Sequence, residues 1–165
     1  MADALGIEPI GTVVGGRREV AEDHWGGVEA VIRLRPDFPP EVVRGLEEFS
    51  HLVVVWHFDR ADPGDVALRA RSPRNNPAWP PTGTFAHRNH RRPNQLATSF
   101  PRLLGVDGLD LRVADLDAVD GTPVYDLAPW FTAMGPRGPV HEPAWPGEML
   151  AAYWAGAEED RTNGA

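Results

Sequence analysis

Short apolar stretches separated by proline and glycine run along the whole chain. Residues 28–34 alternate between apolar and polar positions, and this period of two predicts a half-buried strand. Residues 52–56 are apolar on both faces, which predicts a strand at the centre of the core. The same pattern predicts further strands at 7–14, 83–87, 95–104, 109–114 and 122–127, and short helical segments at 41–49 and 148–155.

The number of short strands favours one mainly β domain, built as a small closed or nearly closed β-barrel. The 165 residues suffice for one core, and 17 prolines and 17 glycines leave little uninterrupted length for helices. We expect residues 1–132 to form the barrel domain. Residues 133–165 are expected to add a loop, a short helix and a tail, frayed from 158, that pack on the same domain. Residues 59–81 have no clear period and predict a long surface loop.

The composition excludes several classes of protein. The chain has no cysteine, which excludes a disulfide framework, a thiolate zinc site, an iron–sulfur cluster and a cysteine nucleophile. The longest apolar run, 52–56, is far shorter than the roughly 20 residues needed to span a bilayer. The first residues have the pattern of neither a secretory signal nor a transit peptide. We therefore expect a cytoplasmic protein with no membrane partner.

Charge is distributed unevenly along the chain. The net charge of −8 argues against a polyanionic partner, yet residues 66–106 contain no acidic residue. This acid-free segment carries seven arginines: Arg69, Arg71, Arg74, Arg88, Arg91, Arg92 and Arg102. A GC-rich genome also explains why all 16 basic residues are arginine. The planar guanidinium nevertheless suits phosphate or carboxylate better than an ammonium does.

Two polar segments are candidates for binding chemistry. Residues 85–94 contain three arginines, two histidines and two asparagines between two predicted strands, and these donors suit a carboxylate or phosphate; a merely solvated loop is the alternative. Residues 115–126 contain four aspartates around a turn. Turn chemistry accounts for aspartates there, and contact with a cationic or hydrogen-bonding ligand is the functional alternative.

The sequence contains no motif of a metal site, a serine nucleophile or a nucleotide-binding loop. His87 and His90 are three residues apart, but no metal-binding motif accompanies them, so we predict no metal site. None of the three serines lies in a nucleophile-elbow motif, and neither a P-loop nor a dinucleotide-binding glycine motif occurs.

Four segments resemble the TsaA-like family, which includes the TrmO-type tRNA methyltransferases. They read Ile-Glu-Pro-Ile-Gly-Thr-Val at 7–13, Gly-Leu-Glu-Glu-Phe-Ser-His-Leu at 45–52, Gly-Thr-Phe-Ala-His-Arg at 83–88 continuing to Arg-Pro-Asn at 92–94, and Asp-Gly-Thr-Pro-Val-Tyr-Asp at 120–126. The resemblance covers residues 7–131. Where the family pattern reads F-A-x-R-S-P-x-R-P-N-P-I-G-L-S, this chain has Asn89-His90 for Ser-Pro, Gln95 for the third proline and Ala97 for glycine.

The resemblance implies a β-barrel methyltransferase that uses S-adenosylmethionine and methylates N6 of threonylcarbamoyladenosine in tRNA. It also implies a homodimer with its pocket near the subunit interface. We expect no DNA partner. The cofactor-binding residues would be Phe85, Ala86, His87, Arg88, Asn89, His90, Leu116, Asp117, Gly121 and Thr122. Contacts to RNA phosphate would come from Arg69, Arg71, Arg74 and Arg91.

The catalytic residues would be Asp126, Arg92 and Asn94. The lone pair of an exocyclic adenine nitrogen is delocalised into the ring, so a carboxylate that accepts its proton would assist methyl transfer. Asp126 is the expected acceptor, and Arg92 and Asn94 would orient cofactor or substrate. Two alternatives stay open at this point, a transferase that uses S-adenosylmethionine on a small molecule and a non-catalytic module that binds S-adenosylmethionine.

Overall fold

A seven-stranded antiparallel sheet is the framework of the computed structural model, which describes residues 4–156. In chain order the strands are β1 (Gly11–Val14), β2 (Glu29–Leu34), β3 (Leu52–His57), β4 (Leu96–Ser99), β5 (Arg102–Asp107), β6 (Asp110–Ala114) and β7 (Pro123–Pro129). Their order across the sheet is β4-β3-β7-β1-β2-β6-β5. The mainly β class predicted from the sequence is confirmed.

The two ends of this sheet approach each other without closing fully. β4 and β5 follow one another along the chain, but β4 pairs with β3 and β5 pairs with β6. Pro101 lies between them, and its carbonyl accepts a hydrogen bond of 3.0 Å from the Leu52 NH at the start of β3. An isolated bridge also joins His51 to Arg102. The sheet is therefore nearly closed, one of the two forms that the sequence predicts.

The core lies on the inner face of the curved sheet. Alternation along β3 buries Leu52, Val54 and Trp56, while the residues between them point outward and are half-buried. Inward side chains of the other strands complete the core, among them Val13, Ile32, Leu111, Val113 and Val124. Each fully buried aliphatic side chain of this kind contributes about 1.5–3 kcal/mol to folding, so the core is the main source of stability.

The strand predicted at 7–14 begins only at Gly11, and two other predicted strands differ more from the observed elements. Residues 83–87 form no strand; Thr84–Ala86 is a 3-10 helix, because the Thr84 hydroxyl donates to the Arg91 carbonyl and folds this segment on itself. The single strand predicted at 95–104 is two, β4 and β5. Pro101 separates them, since proline lacks the NH that a continuous ladder needs.

Helical structure is limited to short segments. The helical segment predicted at 41–49 is two 3-10 helices, Pro40–Val43 and Leu46–Glu48, separated by Gly45 at a φ of 82°. The long loop holds two more, Pro63–Asp65 and Pro73–Asn75, and Thr132–Met134 follows β7. The only α-helix in residues 4–156, α1, spans Ala144–Met149, so the helix predicted at 148–155 begins and ends earlier. No helix between residues 4 and 156 is long and apolar enough to cross a membrane.

The segment after α1 packs back on the domain. The His24 NH donates to the Ala152 carbonyl at 3.1 Å, and the Trp25 NH donates to the Tyr153 carbonyl at 2.8 Å. A Cβ atom at Gly26 would lie 1.9 Å from the Trp154 carbonyl oxygen, so glycine is required for this approach. The tail predicted from residue 158 lies outside the described residues.

Candidate functional site

The polar loop 85–94 is held by a network of side-chain hydrogen bonds. Arg71 donates to the Thr84 hydroxyl at 3.4 Å and to the Asn89 side-chain oxygen at 3.1 Å. The same Asn89 oxygen accepts from the Arg91 NH at 3.1 Å, which closes the loop on itself. The loop is therefore preorganised rather than merely solvated.

The guanidiniums of Arg71 and Arg91 lie close enough for their charges to interact, and neither forms an ion pair with a carboxylate of residues 4–156. Burial lowers the pKa of Arg71, and the charge of Arg91 lowers it further. The side-chain partners of Arg71 are a hydroxyl and an amide oxygen, both neutral. An anion bound here would relieve the repulsion between the two guanidiniums.

Within the loop, some predicted contact residues are buried and others are exposed. His87 is buried, its Nε2 lies 2.9 Å from the Thr82 hydroxyl, and its ring centroid lies 6.0 Å from that of Trp145. The His90 Nε2 lies 3.6 Å from an Asp65 carboxylate oxygen. Phe85, in contrast, is 79% exposed.

The polar loop and the aspartate turn meet at the end of β4. Arg88 donates to the Thr98 carbonyl at 2.7 Å, so its guanidinium covers the end of this strand. The next residue, Ser99, is buried and donates to one carboxylate oxygen of Asp117. Thr98 therefore binds the polar loop, and its neighbour Ser99 binds the aspartate turn.

The second oxygen of Asp117 is bound by a residue that the sequence analysis missed. The Tyr153 hydroxyl donates to it at 2.5 Å. Burial raises the pKa of Tyr153, and the neighbouring Asp117 carboxylate raises it further. The charges of Arg88 and Arg74 act in the opposite direction, so both guanidiniums lie near this phenol. Nothing in the local sequence around residue 153 signals this contact.

The remaining predicted residues of the turn have structural roles. Leu116 is part of the hydrophobic core, and Thr122 is buried. Gly121 adopts a φ of 89°, which favours glycine. The preceding carbonyl, of Asp120, accepts from Arg60 at 2.5 Å, and the Asp120 carboxylate accepts from the Gly15 NH at 2.8 Å. These contacts fix the shape of the turn.

Asp126 lies on the outward face of the sheet. It is exposed and opposes Val55 of β3, which in turn opposes Thr98 of β4. Two strand spacings, about 10 Å, therefore separate Asp126 from Thr98. Ser99 points inward, so Asp126 and Asp117 approach the sheet from opposite faces. Among the described residues, the Asp126 carboxylate accepts one hydrogen bond, from the Leu127 NH at 3.0 Å.

The arginines of the acid-free segment fall into two groups. Two are ion-paired: Arg74 lies 2.8 Å from an Asp23 oxygen and 3.7 Å from a Glu22 oxygen, and Arg102 lies 2.5 Å from an Asp115 oxygen. The others have no acidic partner within residues 4–156, and they are Arg69, Arg71, Arg88, Arg91 and Arg92. Arg92 and Asn94 also have no side-chain hydrogen bond in that part of the chain, which leaves their polar atoms available.

Known proteins resemble this chain in sequence. The family model of the tRNA-methyltransferase O N-terminal domain matches residues 22–135. A tRNA (adenine(37)-N6)-methyltransferase of Escherichia coli is 38% identical over 104 residues, which is 59% of this chain and 43% of that protein. A probable S-adenosyl-L-methionine-binding protein of Pyrococcus abyssi is 33% identical over 103 residues, 62% of this chain and 53% of that protein. The chain thus spans about half or less of these relatives.

The fold of this chain also resembles solved structures. A crystal structure of TrmO from Pseudomonas aeruginosa superposes with a TM-score of 0.63 at 25% identity, over 86% of this chain and 64% of that one. A second TrmO structure from that species gives a TM-score of 0.69 at 23% identity, over 87% of this chain and 62% of that one. The family-model match covers more than half of the residues, and the fold agrees with it. The chain belongs to the family of tRNA-methyltransferase O N-terminal domains.

Proposed function

We propose that this protein is a methyltransferase that uses S-adenosylmethionine to methylate N6 of threonylcarbamoyladenosine in tRNA. The names of its relatives support both the cofactor and the tRNA substrate. The observation that carries the proposal is the meeting of the polar loop and the aspartate turn at Thr98 and Ser99. With tRNA as its substrate, we propose that the protein acts in the cytoplasm.

The chemistry of these groups fits the cofactor. S-adenosylmethionine carries a carboxylate, an ammonium, a sulfonium and an adenine, and when bound it supplies an electrophilic methyl group. Guanidiniums of Arg88 and Arg92 suit the carboxylate, and the exposed ring of Phe85 suits a base. The carbonyl groups of residues 85–90 and the carboxylate of Asp117 suit the positive groups. Leu116, Gly121 and Thr122 contribute through the backbone shape of the turn.

In this proposal the protein's own residues align the substrate and accept a proton. Alignment and exclusion of water lower the barrier to an in-line displacement without a covalent nucleophile. As methyl transfer proceeds, N6 loses a proton, and the exposed carboxylate of Asp126 accepts it on the outward face of the sheet, about two strand spacings from Thr98, to which Arg88 of the polar loop is bound. Arg92 and Asn94, whose side chains form no hydrogen bond within residues 4–156, orient cofactor or substrate.

We propose that Arg69, Arg71 and Arg91 bind the phosphates of the tRNA. None of these three has an acidic partner in the described part of the chain, and Arg71 and Arg91 repel each other. Arg74, the fourth predicted contact, is ion-paired with Asp23 and remains a weaker candidate.

A homodimer with the pocket near its interface is also part of the proposal. Phe100 and Phe131 are each 46% exposed, and their rings contact Trp130 and Phe49 at centroid distances of 5.3 and 5.6 Å. A surface patch of aromatic rings is typical of a protein contact. Sedimentation velocity of the purified protein tests it, and a monomer at micromolar concentration would contradict it.

The activity is tested with Asp126→Asn and a matched control. Isothermal titration calorimetry with S-adenosylmethionine measures cofactor binding, and transfer of a labelled methyl group to tRNA carrying threonylcarbamoyladenosine measures turnover. We expect Asp126→Asn to lower kcat about 100-fold, the usual loss for a general base, with cofactor affinity nearly unchanged. Asp107→Asn is the control, because Asp107 is an exposed aspartate at the end of β5 next to the β5–β6 turn.

Each result has a distinct meaning. An Asp126→Asn rate within about threefold of the parent removes the proton-acceptor role. Cofactor binding without methyl transfer to any acceptor would make the protein a binding module. Transfer to a small amine but not to tRNA would make it a small-molecule methyltransferase. A correctly folded parent that does not bind S-adenosylmethionine would overturn the proposal as a whole.

A further inference from the structure

The segment from α1 to Tyr153 lies beyond the family match, which ends at residue 135, yet it contacts three loops around the candidate site. The Trp145 ring lies against His87 of the polar loop. Glu148 accepts a hydrogen bond of 2.7 Å from Trp79 of the long loop. Tyr153 donates to Asp117 of the aspartate turn. One short segment therefore contacts two neighbouring loops, 59–81 and 85–94, and the aspartate turn, which lies further along the chain.

The contact with Asp117 is the most specific of the three. Both oxygens of this carboxylate accept a hydrogen bond from a hydroxyl group, one from Ser99 and one from Tyr153. Ser99 in turn accepts from the indole NH of Trp56 at 2.9 Å inside the core. Two donors on the two oxygens fix the rotation of a carboxylate. Hydrogen bonds to a charged group are also stronger than those between neutral groups.

The Tyr153 side chain is itself held in place. Its ring lies edge-on to Trp154 at a centroid distance of 4.9 Å, and its own carbonyl accepts from the Trp25 NH. The guanidinium of Arg88, from the polar loop, lies close enough for its charge to act on the phenol. Tyr153 therefore lies between the two segments that the proposed function assigns to the cofactor.

We propose that Tyr153 is a positioning residue: it fixes the Asp117 carboxylate and, with it, the cofactor-binding turn, so that the C-terminal segment sets the affinity for S-adenosylmethionine. This inference rests on the proposed function, since it takes the turn to be part of the cofactor site. It assigns a role to a segment outside the matched domain. Tyr153 does not need to touch the cofactor or the methyl acceptor.

A double-mutant cycle between Tyr153 and Asp117 tests this role. Tyr153→Phe removes only the hydroxyl group, and Asp117→Asn keeps the size of the side chain while removing its charge. Calorimetry with S-adenosylhomocysteine measures the affinity of the parent, of each variant and of the double variant. We expect each single change to weaken binding about tenfold, and Tyr153→Phe to add little in the Asp117→Asn background, because coupled residues are not additive.

The chain's other tyrosine provides the control. Tyr125→Phe is the same chemical change at a hydroxyl that has no hydrogen-bond partner within residues 4–156; the Tyr125 ring contacts His57. It should leave affinity unchanged. Circular dichroism and thermal unfolding show whether each variant is folded. A Tyr153→Phe protein that does not fold would overturn the inference, because the hydroxyl group would then be required for the fold rather than for the position of one carboxylate.

The outcomes separate this inference from the proposed function. A folded Tyr153→Phe protein with the parent's affinity would overturn the inference and leave the proposed function intact. Full additivity of the two changes would also overturn it, because two independent losses are not a positioning contact. A folded parent that does not bind S-adenosylhomocysteine would overturn the proposed function, and the inference with it.

Discussion

Gln95 follows the polar loop directly, and it adopts a backbone conformation that proline cannot adopt. Its φ is 48°, in the left-handed region, whereas the proline ring fixes φ near −65°. Its NH donates to the Arg92 carbonyl at 3.0 Å, and its buried side chain donates to the Asp62 carbonyl at 3.1 Å. The TsaA-like pattern has proline at this position. The exchange to glutamine therefore accompanies a different exit from the loop into β4.

Restoring the proline should destabilise the protein. Gln95→Pro removes the NH that binds Arg92, removes the side-chain bond to Asp62 and forces φ away from its present value. We expect a loss of about 3 kcal/mol or more in the free energy of unfolding, measured by urea denaturation. Gln95→Ala is the control, because it loses the side-chain bond but keeps the NH, so its loss should be clearly smaller. A proline variant as stable as the alanine variant would contradict the argument.

Residues close in sequence were easier to predict than distant partners. The polar loop could be identified from composition alone, because it concentrates arginine, histidine and asparagine within ten residues. The partnership of Tyr153 with Asp117 spans 36 residues and depends on how the C-terminal segment folds back. No local pattern encodes such a contact.

The Asp115 side chain connects the turn before β2, through Gly27, to β5, through Arg102. It follows β6 at a φ of 63°, and its two oxygens accept from the Gly27 NH at 2.7 Å and from Arg102 of β5 at 2.5 Å. Burial raises the pKa of this carboxyl, but the hydrogen bonds from Arg102 and Gly27 outweigh burial, and the net pKa lies below its ordinary value of 3.8. The ionised form is thus favoured in the folded state.

This shift makes part of the stability sensitive to acid. A carboxyl whose pKa is lowered by folding stabilises the protein above its unfolded pKa, and the contribution is lost as pH falls through the folded pKa. We expect the parent to be more stable than Asp115→Asn above about pH 5, and the difference to shrink as pH falls below about 4. Asparagine tolerates the positive φ, so the comparison isolates the charge. Denaturant unfolding at several pH values measures the difference, and a pH-independent difference would contradict this account.

Elements with a clear alternation were predicted well, and irregular ones were not. β2 and β6 match their predicted ranges closely, because alternating apolar residues face a single core. The apolar residues at 83–87 also predicted a strand, but Phe85 is exposed to solvent and the Thr84 hydroxyl donates to the Arg91 carbonyl of the polar loop. The first part of the strand predicted at 7–14 is also not sheet, since β1 begins at Gly11, where a Cβ atom would lie 2.5 Å from the Arg33 carbonyl oxygen.

At the scale of the whole molecule, the acid-free segment is only partly neutralised by folding. The chain carries a net charge of −8, but among the segment's arginines only Arg74 and Arg102 form ion pairs within the described residues. Arg69 and Arg91 keep an uncompensated charge. A local positive surface of this kind attracts a polyanion even when the rest of the molecule repels it. The distribution of charge, rather than its total, therefore decides whether tRNA binds.

Salt dependence tests this distribution of charge directly. Affinity for a nucleic acid falls as salt concentration rises, because binding releases counterions. Each phosphate contact adds about 0.7–0.9 to the steepness of this fall, measured as the slope of log affinity against log salt concentration. We expect Arg69→Gln and Arg91→Gln each to weaken tRNA binding and to lower this slope by about 1. Arg33→Gln is the matched control, since Arg33 pairs with Asp110 at 2.7 Å outside the segment, and its slope should equal the parent's. Arg74→Gln should change the slope less than either test variant, because Asp23 already compensates that charge. Equal slopes for the parent and all four variants would mean that the RNA binds elsewhere on the protein.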